Sequence, residues 1–384
     1  MRIAYFAGSM LPGQDGVTRV LYRMTEALRA EQIDHMFVSP VLPPEGSRPV
    51  PMLAVPSCSF PLYRDYRMAS PDPRFFSRDV LAFRPDLIHI HSPCSLGHAA
   101  VHFGRRHRIP VIATYHTHFA SYAEYYNIRF LEPFGWTYLR CLYGRCETLL
   151  VPSQPIMDEL SGHGFRRLRL LPHGVDTDTF RPELRSATWK ARHGIPAGHH
   201  VLLYAGRLVW EKDLRTLVAT YEHLRSARSD ISFVLAGDGP IRQELESLMP
   251  RAIFLGHLSG RSLAESYASA DLFVFPSTTE TFGNVILEAM ASGIVPVCAH
   301  KGGAAGVIED GVNGILCEPW RGEAMGLAID TLLNDPVRRR SLARNALAHA
   351  RQQSWQSIIR QMLGIYADVL RQYSARGRRR TRAA

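Results

Sequence analysis

The chain has 384 residues, of which 46% are hydrophobic and 21% are charged. These values exclude a fibrous or largely disordered protein, and the length is sufficient for two domains with buried cores. The formal net charge is +10, but the body of the chain lacks a basic stripe with interleaved aromatic residues, so we expect no nucleic-acid partner. The sequence also contains no apolar run of the roughly 18 residues that span a bilayer and no typical secretory signal.

Short apolar runs alternate with helical patterns along the chain. We predict strands at 2–7, 35–40, 86–91, 110–116 and 148–153, and then at 200–206, 232–239, 252–256, 272–277 and 295–299. This alternation is typical of βαβ units, so the fold class is predicted to be α/β, with one doubly wound parallel sheet in each half. Ligands of such sheets bind beyond the carboxyl ends of the strands.

A segment rich in Pro, Gly and Asp, PHGVDTDTFRPE at 172–183, separates the two halves. We predict an N-terminal domain at 1–175, a C-terminal domain at 176–354 and a helix with apolar residues at helical spacing at 355–372. The segment 373–384 is rich in Arg and lacks apolar periodicity, so it is predicted to be disordered. It could also attach to an anionic membrane surface, since each basic residue near such a surface adds about 1 kcal/mol.

The strand at 200–206 is followed by a turn that carries two cations, Arg207 and Lys212. Lysine is rare in this chain, which has only Lys190, Lys212 and Lys301. An ammonium group beside a guanidinium group suits a diphosphate, which offers oxygens to both. The alternative is that the two are surface cations at the start of a helix.

The strand at 272–277 is followed by a loop with Glu280 and by a helix that we predict to begin between residues 282 and 284. The first-turn amides of this helix would face a bound anion, and Gly283 would allow a ligand to approach the backbone closely. Glu288 leans back toward the same helix end, so both carboxylates could accept hydrogen bonds from one polar ligand. Alternatively, one glutamate caps the helix and the other lies at the edge of the core.

The motifs occur in a fixed order: GRLVWEKDL at 206–214, LAGDGP at 235–240, LGHLSG at 255–260, ETFGNVILE at 280–288 and GIVPVCAHKGGAAGVIEDGVNGIL at 293–316. In this order they resemble the retaining glycosyltransferases of family 4, and the resemblance covers nearly the whole chain. It implies the GT-B architecture, in which two Rossmann-like domains face a central cleft.

The resemblance also implies roles for individual residues in the C-terminal half. Arg207 and Lys212 match the residues that hold the donor diphosphate, Glu288 matches the glutamate on the ribose hydroxyls, and Glu280 matches the glutamate that faces the donor sugar. Backbone amides near sugar and phosphate are implied for Phe282, Gly283, Asn284 and Val285. The loop that frames the base is implied to include His257 and Leu258.

The N-terminal half is also similar to the family. PGQDGVTRVLYRMTEAL at 12–28 resembles its glycine loop and the helix that faces the diphosphate; Gly16 matches one of two adjacent glycines, whereas Asp15 departs from the pattern. His116 matches a histidine near the donor sugar, with His118 as the competing choice, although both could be ordinary loop histidines. His173 lies where members carry Asn or His at the hinge between domains, and we interpret it as structural.

We therefore predict a retaining, metal-independent hexosyltransferase that needs no cofactor and uses GDP-mannose or a UDP-hexose. Aromatic and basic residues at 59–72 and 119–147 either pack within a domain or contact lipid headgroups. Because TYHTHF at 114–119 and the aromatic segment that follows it are similar to the branch that includes mannosyl and sulfoquinovosyl transferases of membrane lipids, we expect a lipid or lipid-linked acceptor. The expected location is the cytoplasm, with or without peripheral attachment to the inner face of the membrane.

Four alternatives differ from this prediction in acceptor or in protein class. The enzyme could glycosylate a soluble small molecule or a polysaccharide. A GT-B sugar-nucleotide epimerase would not need both glutamates and both cations, and a phosphorylase would need a lysine that carries a cofactor. A binding protein without catalysis could lack the residues that face the sugar, but this chain contains Arg207, Lys212, Glu280 and Glu288.

Overall fold

The computed structural model describes residues 1–12, 16–60, 63–116 and 132–382. The strands are β1 Arg2–Phe6, β2 Asp34–Ser39, β3 Met52–Ala54, β4 Ser57–Phe60, β5 Tyr63–Ala69, β6 Leu87–Ile90, β7 Val111–Thr114, β8 Thr148–Val151, β9 Leu168–Leu170, β10 His200–Ala205, β11 Ile231–Ala236, β12 Ile253–Gly256, β13 Leu272–Phe275, β14 Val295–Ala299 and β15 Ile315–Cys317. The helices are α1 Gly16–Ala30, α2 Ser77–Phe83, α3 Ser95–His107, α4 Glu132–Tyr143, α5 Gln154–Gly162, α6 Trp189–Arg192, α7 Leu214–Ala227, α8 Arg242–Leu248, α9 Gly260–Ser269, α10 Asn284–Ala291, α11 Ala304–Val307, α12 Gly322–Asn334, α13 Pro336–Gln352 and α14 Trp355–Arg382.

The chain divides into two compact units. The first consists of Met1–Pro172 together with Trp355–Ala384, and the second of His173–Ser354. The first division lies close to the boundary that we predicted between residues 175 and 176, and the second coincides with the predicted start of the last helix.

A parallel sheet forms the centre of the first unit. Among the described residues its strand order is β3-β2-β1-β6-β7-β8-β9, and the strands are paired in parallel. The chain winds outward in both directions from β1 and β6, so the order reverses between these two strands. In doubly wound sheets this reversal is where ligands bind.

Both faces of this sheet are buried, which explains why its strands read as continuous apolar runs. In β1, Ala4 and Phe6 belong to one apolar cluster, whereas Ile3 and Tyr5 belong to another. The second cluster is completed by α1 and by α14, whose buried residues include Ile359 and Tyr366. The last helix is therefore an integral part of the first unit's core.

The second unit has the same plan. Its described strands have the order β12-β11-β10-β13-β14-β15, again paired in parallel. The reversal lies between β10 and β13, which are hydrogen-bonded neighbours. Strands and helices of this unit share one large apolar core, in which β10 and β13 are almost fully buried.

The ten predicted strands are all present, with small shifts at their ends. We did not predict β3, β9 and β15, which have three residues each, or the antiparallel pair β4 and β5. The prediction for the C-terminus was wrong: the helix expected to end at residue 372 continues to Arg382. The segment predicted to be disordered is therefore helical as far as that residue. Among the described helices, none is long and apolar enough to cross a membrane.

Candidate functional site

The carboxyl ends of β10 and β13 bring together two predicted site residues that are far apart in the sequence. The Lys212 ammonium donates a hydrogen bond to Glu280 Oε1 at 2.7 Å. The two side chains are 18% and 23% exposed, so the pair is accessible but largely shielded from water. A lysine ammonium and a carboxylate thus lie at one point beside the reversal of strand order.

The loops that carry this pair are tied to each other by further hydrogen bonds. The loop after β10 contains a single 3-10 turn at Trp210–Lys212, followed by Asp213. The carboxylate of Asp213 accepts hydrogen bonds from the backbone N–H and the hydroxyl of Thr278, at 2.8 and 2.7 Å. The hydroxyl of Thr279 donates to the carbonyl of Glu211 at 3.0 Å. These contacts fix the position of Lys212 relative to the loop that carries Glu280.

Arg207, the other predicted cation of this loop, has a different carboxylate partner. Its guanidinium is 3.8 Å from the carboxylate of Glu211, and its side chain is 68% exposed whereas that of Glu211 is 12% exposed. An ion pair this open to water contributes little to stability. The guanidinium is therefore an accessible cation at the start of the same loop.

Glycines allow the loop after β13 to turn into its helix and to pack closely against the segment after β14. Gly283 has φ +93°, a conformation that favours glycine, and it directly precedes the first residue of α10. Gly303 donates its N–H to the Glu280 carbonyl at 2.6 Å, and a Cβ at this position would collide with the backbone of Phe282. A Cβ on Gly302 would lie 2.7 Å from the Glu280 carbonyl oxygen.

The N-terminal turn of α10 is supported by His173. The His173 Nδ1–H donates to Asn284 Oδ1 at 2.9 Å, and its ring centroid lies 4.9 Å from that of Phe282. Burial lowers the pKa of His173 to about 4, although the hydrogen bond to Asn284 opposes this shift. The imidazole is therefore neutral at physiological pH and acts as a fixed hydrogen-bond donor.

The remaining predicted residues of this half differ in exposure. Glu288 on α10 is buried and accepts a hydrogen bond from the Tyr267 hydroxyl at 3.2 Å. Val285 and Leu258 are half-buried against the core, whereas His257 is exposed just after β12. The structure thus brings Lys212 together with Glu280, whereas Glu288 is hydrogen-bonded to Tyr267 instead.

The first unit places a pair of histidines at the carboxyl ends of β6 and β7. His91 Nδ1 and His116 Nε2 are 2.7 Å apart and share a hydrogen bond. Their rings are stacked at a centroid distance of 5.0 Å. Because β6 and β7 are neighbours, the residues that follow them meet at the same edge of the sheet. His91 was not among the predicted site residues, although its place at the end of DLIHIH could have indicated it.

A third histidine, His89, connects this pair to the interior. Its ring centroid lies 4.0 Å from that of His91. Its Nδ1 and Nε2 are 2.6 Å from the Tyr366 hydroxyl and 2.7 Å from the Thr114 hydroxyl, respectively. Burial, with a smaller contribution from nearby His116, holds the pKa of His89 well below its usual range. His89 therefore stays neutral beneath the pair.

Three further residues named in the sequence analysis are Gly16 and Asp15 of the glycine loop and His118. Gly16 is the exposed first residue of α1, as the predicted order of loop and helix requires. Asp15 and His118 lie outside the described residues, as do all of the aromatic residues in 119–131.

Comparisons with known proteins identify the family of the chain. Residues 186–349 match the family described as "Glycosyl transferases group 1", and residues 14–179 match "Glycosyltransferase Family 4". A GDP-mannose-dependent alpha-mannosyltransferase of Corynebacterium glutamicum is 34% identical over 96% of this chain and 89% of its own length. An alpha-monoglucosyldiacylglycerol synthase of Streptococcus pneumoniae is 29% identical over 78% of this chain and 71% of its own length.

The fold is also found among solved structures. The crystal structure of Anabaena HepE in complex with UDP superposes with a TM-score of 0.78, at 21% identity, over 96% of this chain and all of that one. The two doubly wound units thus have the GT-B architecture of nucleotide-sugar glycosyltransferases. The chain belongs to glycosyltransferase family 4, as the order of its motifs predicted.

Proposed function

We propose that the protein transfers a hexose from a nucleoside-diphosphate sugar to an acceptor hydroxyl with retention of configuration. The observation that carries this proposal is the contact between Lys212 and Glu280 at the reversal of strand order. GDP-mannose is the preferred donor candidate because the Corynebacterium glutamicum relative is a GDP-mannose-dependent enzyme, and a UDP-hexose is the alternative. The second unit would supply most of the contacts with the donor, and the first unit would bind the acceptor.

The proposed chemistry depends on stabilising the departing diphosphate. Lys212 supplies a shielded point charge and Arg207 an accessible guanidinium fork, both of which strengthen their interaction as negative charge develops on the leaving group. The backbone amides of 282–285 at the start of α10 add the positive end of a helix dipole. We propose that these groups make a divalent metal unnecessary, so turnover should be unchanged by excess EDTA.

The two glutamates would orient the donor. Glu280 would accept hydrogen bonds from the sugar hydroxyls, and buried Glu288 would accept them from the ribose hydroxyls. His116 would contact a sugar hydroxyl through its imidazole, with His91 fixing the ring from behind at 2.7 Å. The loop with His257 and Leu258 would frame the base, and Gly16 would allow the diphosphate to approach α1.

We further propose a lipid or lipid-linked acceptor at a membrane surface in the cytoplasm. The Streptococcus pneumoniae relative is named for a diacylglycerol product. In this chain, α4 buries Trp136 and Leu139 but exposes Phe134 and Tyr138, which are 72% and 43% exposed. Arg140 is exposed on the same helix. Exposed aromatic rings beside arginine are typical of a surface that contacts lipid headgroups.

The test is release of nucleoside diphosphate by the purified protein with a panel of GDP- and UDP-sugars, with and without membrane lipids in detergent. We expect release from one donor that increases several-fold with lipid, accompanied by a glycolipid product. Donor-specific release that does not change with lipid would overturn the proposed lipid acceptor but would still support a glycosyltransferase. The absence of both release and nucleotide binding across the panel would overturn the proposed function.

A further inference from the structure

Two residues of the second unit have a backbone conformation that is unfavourable for their side chains. Asp213 has φ +54° and Trp320 has φ +61°, and they are the non-glycine residues with positive φ among the described residues of this unit. Left-handed backbone is uncommon for residues other than glycine, and for a bulky side chain such as tryptophan it is an outlier. Conformations of this kind persist where the surrounding structure requires them, often at functional sites.

These two residues are hydrogen-bonded to each other although 107 positions separate them in the sequence. The Trp320 indole N–H donates to Asp213 Oδ1 at 3.0 Å, while Asp213 Oδ2 accepts both hydrogen bonds from Thr278. Lys301 places its ammonium 4.5 Å from the centre of the Trp320 ring, within the range of a cation–π interaction. One carboxylate thus joins three segments of the unit.

The position of this network connects it to the candidate donor site. Asp213 directly follows Lys212, and Thr278 precedes Glu280 by two residues. Lys301 directly precedes Gly302 and Gly303, which contact the backbone around Glu280. The network therefore holds the segments on both sides of the Lys212–Glu280 pair without including either member of that pair.

We propose that Asp213 and Trp320 are positioning residues that hold the Lys212 ammonium and the Glu280 carboxylate in the geometry that binds and activates the nucleotide-sugar donor. This inference rests on the proposed function, since it concerns the same site. Asp213 would act through Thr278 on the loop of Glu280 and through its own backbone on Lys212. Trp320 would fix the rotamer of the Asp213 carboxylate.

The strained backbone gives a test that separates positioning from stability. Glycine adopts positive φ without strain, so Asp213→Gly removes the hydrogen bonds but relieves the backbone. We expect its melting temperature to change little, because relief of the backbone offsets the lost hydrogen bonds. The value of kcat/KM for the donor should fall roughly tenfold or more, because misplacement of catalytic groups by about 1 Å has effects of at least this size. The matched control is Arg84→Gly. It relieves backbone strain at an exposed residue of the first unit with φ +53°, and it should leave kcat/KM unchanged.

A second pair of variants tests the contact between the two residues. In Asp213→Asn, an amide NH₂ group replaces one of the two carboxylate oxygens. This group is a hydrogen-bond donor, and it faces another donor: either the Trp320 N–H or the N–H and hydroxyl of Thr278. In Trp320→Phe the aromatic face remains for Lys301 but the N–H is lost. We expect the double variant Asp213→Asn, Trp320→Phe to have a higher kcat/KM than Asp213→Asn alone, because the opposing donor has been removed.

The outcomes distinguish this inference from the proposed function. Wild-type activity in Asp213→Gly and Trp320→Phe, with activity lost in Glu280→Gln, would overturn the positioning role and leave the transferase intact. A fall in melting temperature that parallels the fall in kcat/KM for Asp213→Gly would show a merely structural role and also overturn it. Failure of wild-type protein to use or bind any nucleotide sugar would instead overturn the proposed function.

Discussion

At the scale of single residues, the ion pair between Lys212 and Glu280 combines accessibility with partial burial. Both side chains are less than one quarter exposed, so each charge is partly desolvated and depends on its partner. Removal of one member of such a pair leaves the other charge poorly compensated. The pair is therefore expected to respond to substitution much more strongly than ion pairs on the open surface.

The first prediction concerns this pair. Glu280→Gln retains the shape of the side chain and an oxygen for Lys212 but loses the charge, so we expect kcat to fall by roughly 10²–10³-fold, as for loss of a group that acts in the transition state. Nucleoside diphosphate binding, measured by calorimetry, should change little, whereas Lys212→Gln should weaken it. The control is Glu222→Gln, which breaks the exposed pair with Arg225. Turnover by Glu280→Gln close to that of wild type would contradict the assignment.

The second prediction concerns the partner of His116. In His91→Asn a side-chain amide can occupy the place of Nδ1, which lies 2.7 Å from His116, whereas His91→Phe retains a ring without a hydrogen bond. We expect His91→Asn to keep most of the activity and His91→Phe to lose roughly tenfold in kcat, at similar donor KM. Nitrogen-15 NMR of the His116 ring should show a changed tautomer equilibrium in His91→Phe. Equal activity of the two variants would show that the hydrogen bond has no role.

At the scale of elements, the ends of strands determine how closely the loops of the second unit pack. Gly237 directly follows β11, and a Cβ there would overlap the carbonyl oxygen of Gly206, the residue after β10. The obstruction is backbone rather than a flexible side chain, so neither loop can move without disturbing a strand. The loop that carries Arg207 and Lys212 can therefore occupy its position only because residue 237, at the end of the neighbouring strand, is a glycine.

A third prediction follows from this contact. Gly237→Ala is expected to lower the free energy of unfolding of the second unit by roughly 3–5 kcal/mol, the range of severe steric substitutions. Thermal unfolding followed by calorimetry measures the effect. Gly198→Ala, where the added methyl group meets no atom within 4 Å, is the matched control and should be nearly neutral. A Gly237→Ala protein as stable as this control would show that the two loops can separate easily.

The fourth prediction concerns the support of α10 by His173. Since the folded-state pKa of His173 is lowered from 6.5 to about 4, the unfolded chain takes up a proton at this residue before the folded protein does. Its contribution to stability is present above about pH 6.5 and is lost as the pH falls toward 4, by up to roughly 3 kcal/mol. His173→Asn cannot titrate, so its melting temperature should fall less between pH 7 and pH 5 than that of wild type. Parallel pH profiles of the two proteins would contradict this expectation.

At the scale of the whole molecule, the last helix belongs to the first unit although it follows the second unit in the sequence. Its inner face contributes Ile358, Met362 and Tyr366 to the core, and Arg376 pairs with Glu147 at 2.8 Å. The helix then continues into the arginine-rich end of the chain. The first part of the helix is thus buried in the core of the first unit, and membrane attachment is a separate role that we propose for its last residues.

The fifth prediction tests that role. Removal of residues 378–384 deletes four arginines and leaves the buried part of α14, so the melting temperature should change little. Binding to vesicles that contain anionic lipid should weaken at low salt, since each basic residue near the surface adds about 1 kcal/mol. Replacement of the four arginines by lysine retains the charge and should retain the binding. Unchanged vesicle binding after truncation would exclude this segment as a membrane contact.

The sequence by itself determined the fold class and showed which candidate site residues directly follow the strands. Buried strands read as apolar runs and site loops directly follow them, and both are local properties that a sequence displays. For this reason the ten main strands, the cations after β10 and the glutamates around α10 could be predicted. The three-residue strands β3, β9 and β15 are too short to show a pattern.

Only the tertiary structure decided which of these loops meet. The order of the strands places β10 beside β13 and β6 beside β7, which joins Lys212 to Glu280 and His91 to His116. The contact of Asp213 with Trp320 leaves no local signal either. The physical reason is that a hydrogen bond depends on positions in space, and residues far apart in the sequence acquire these positions only when parallel strands align their carboxyl ends at one edge of a sheet.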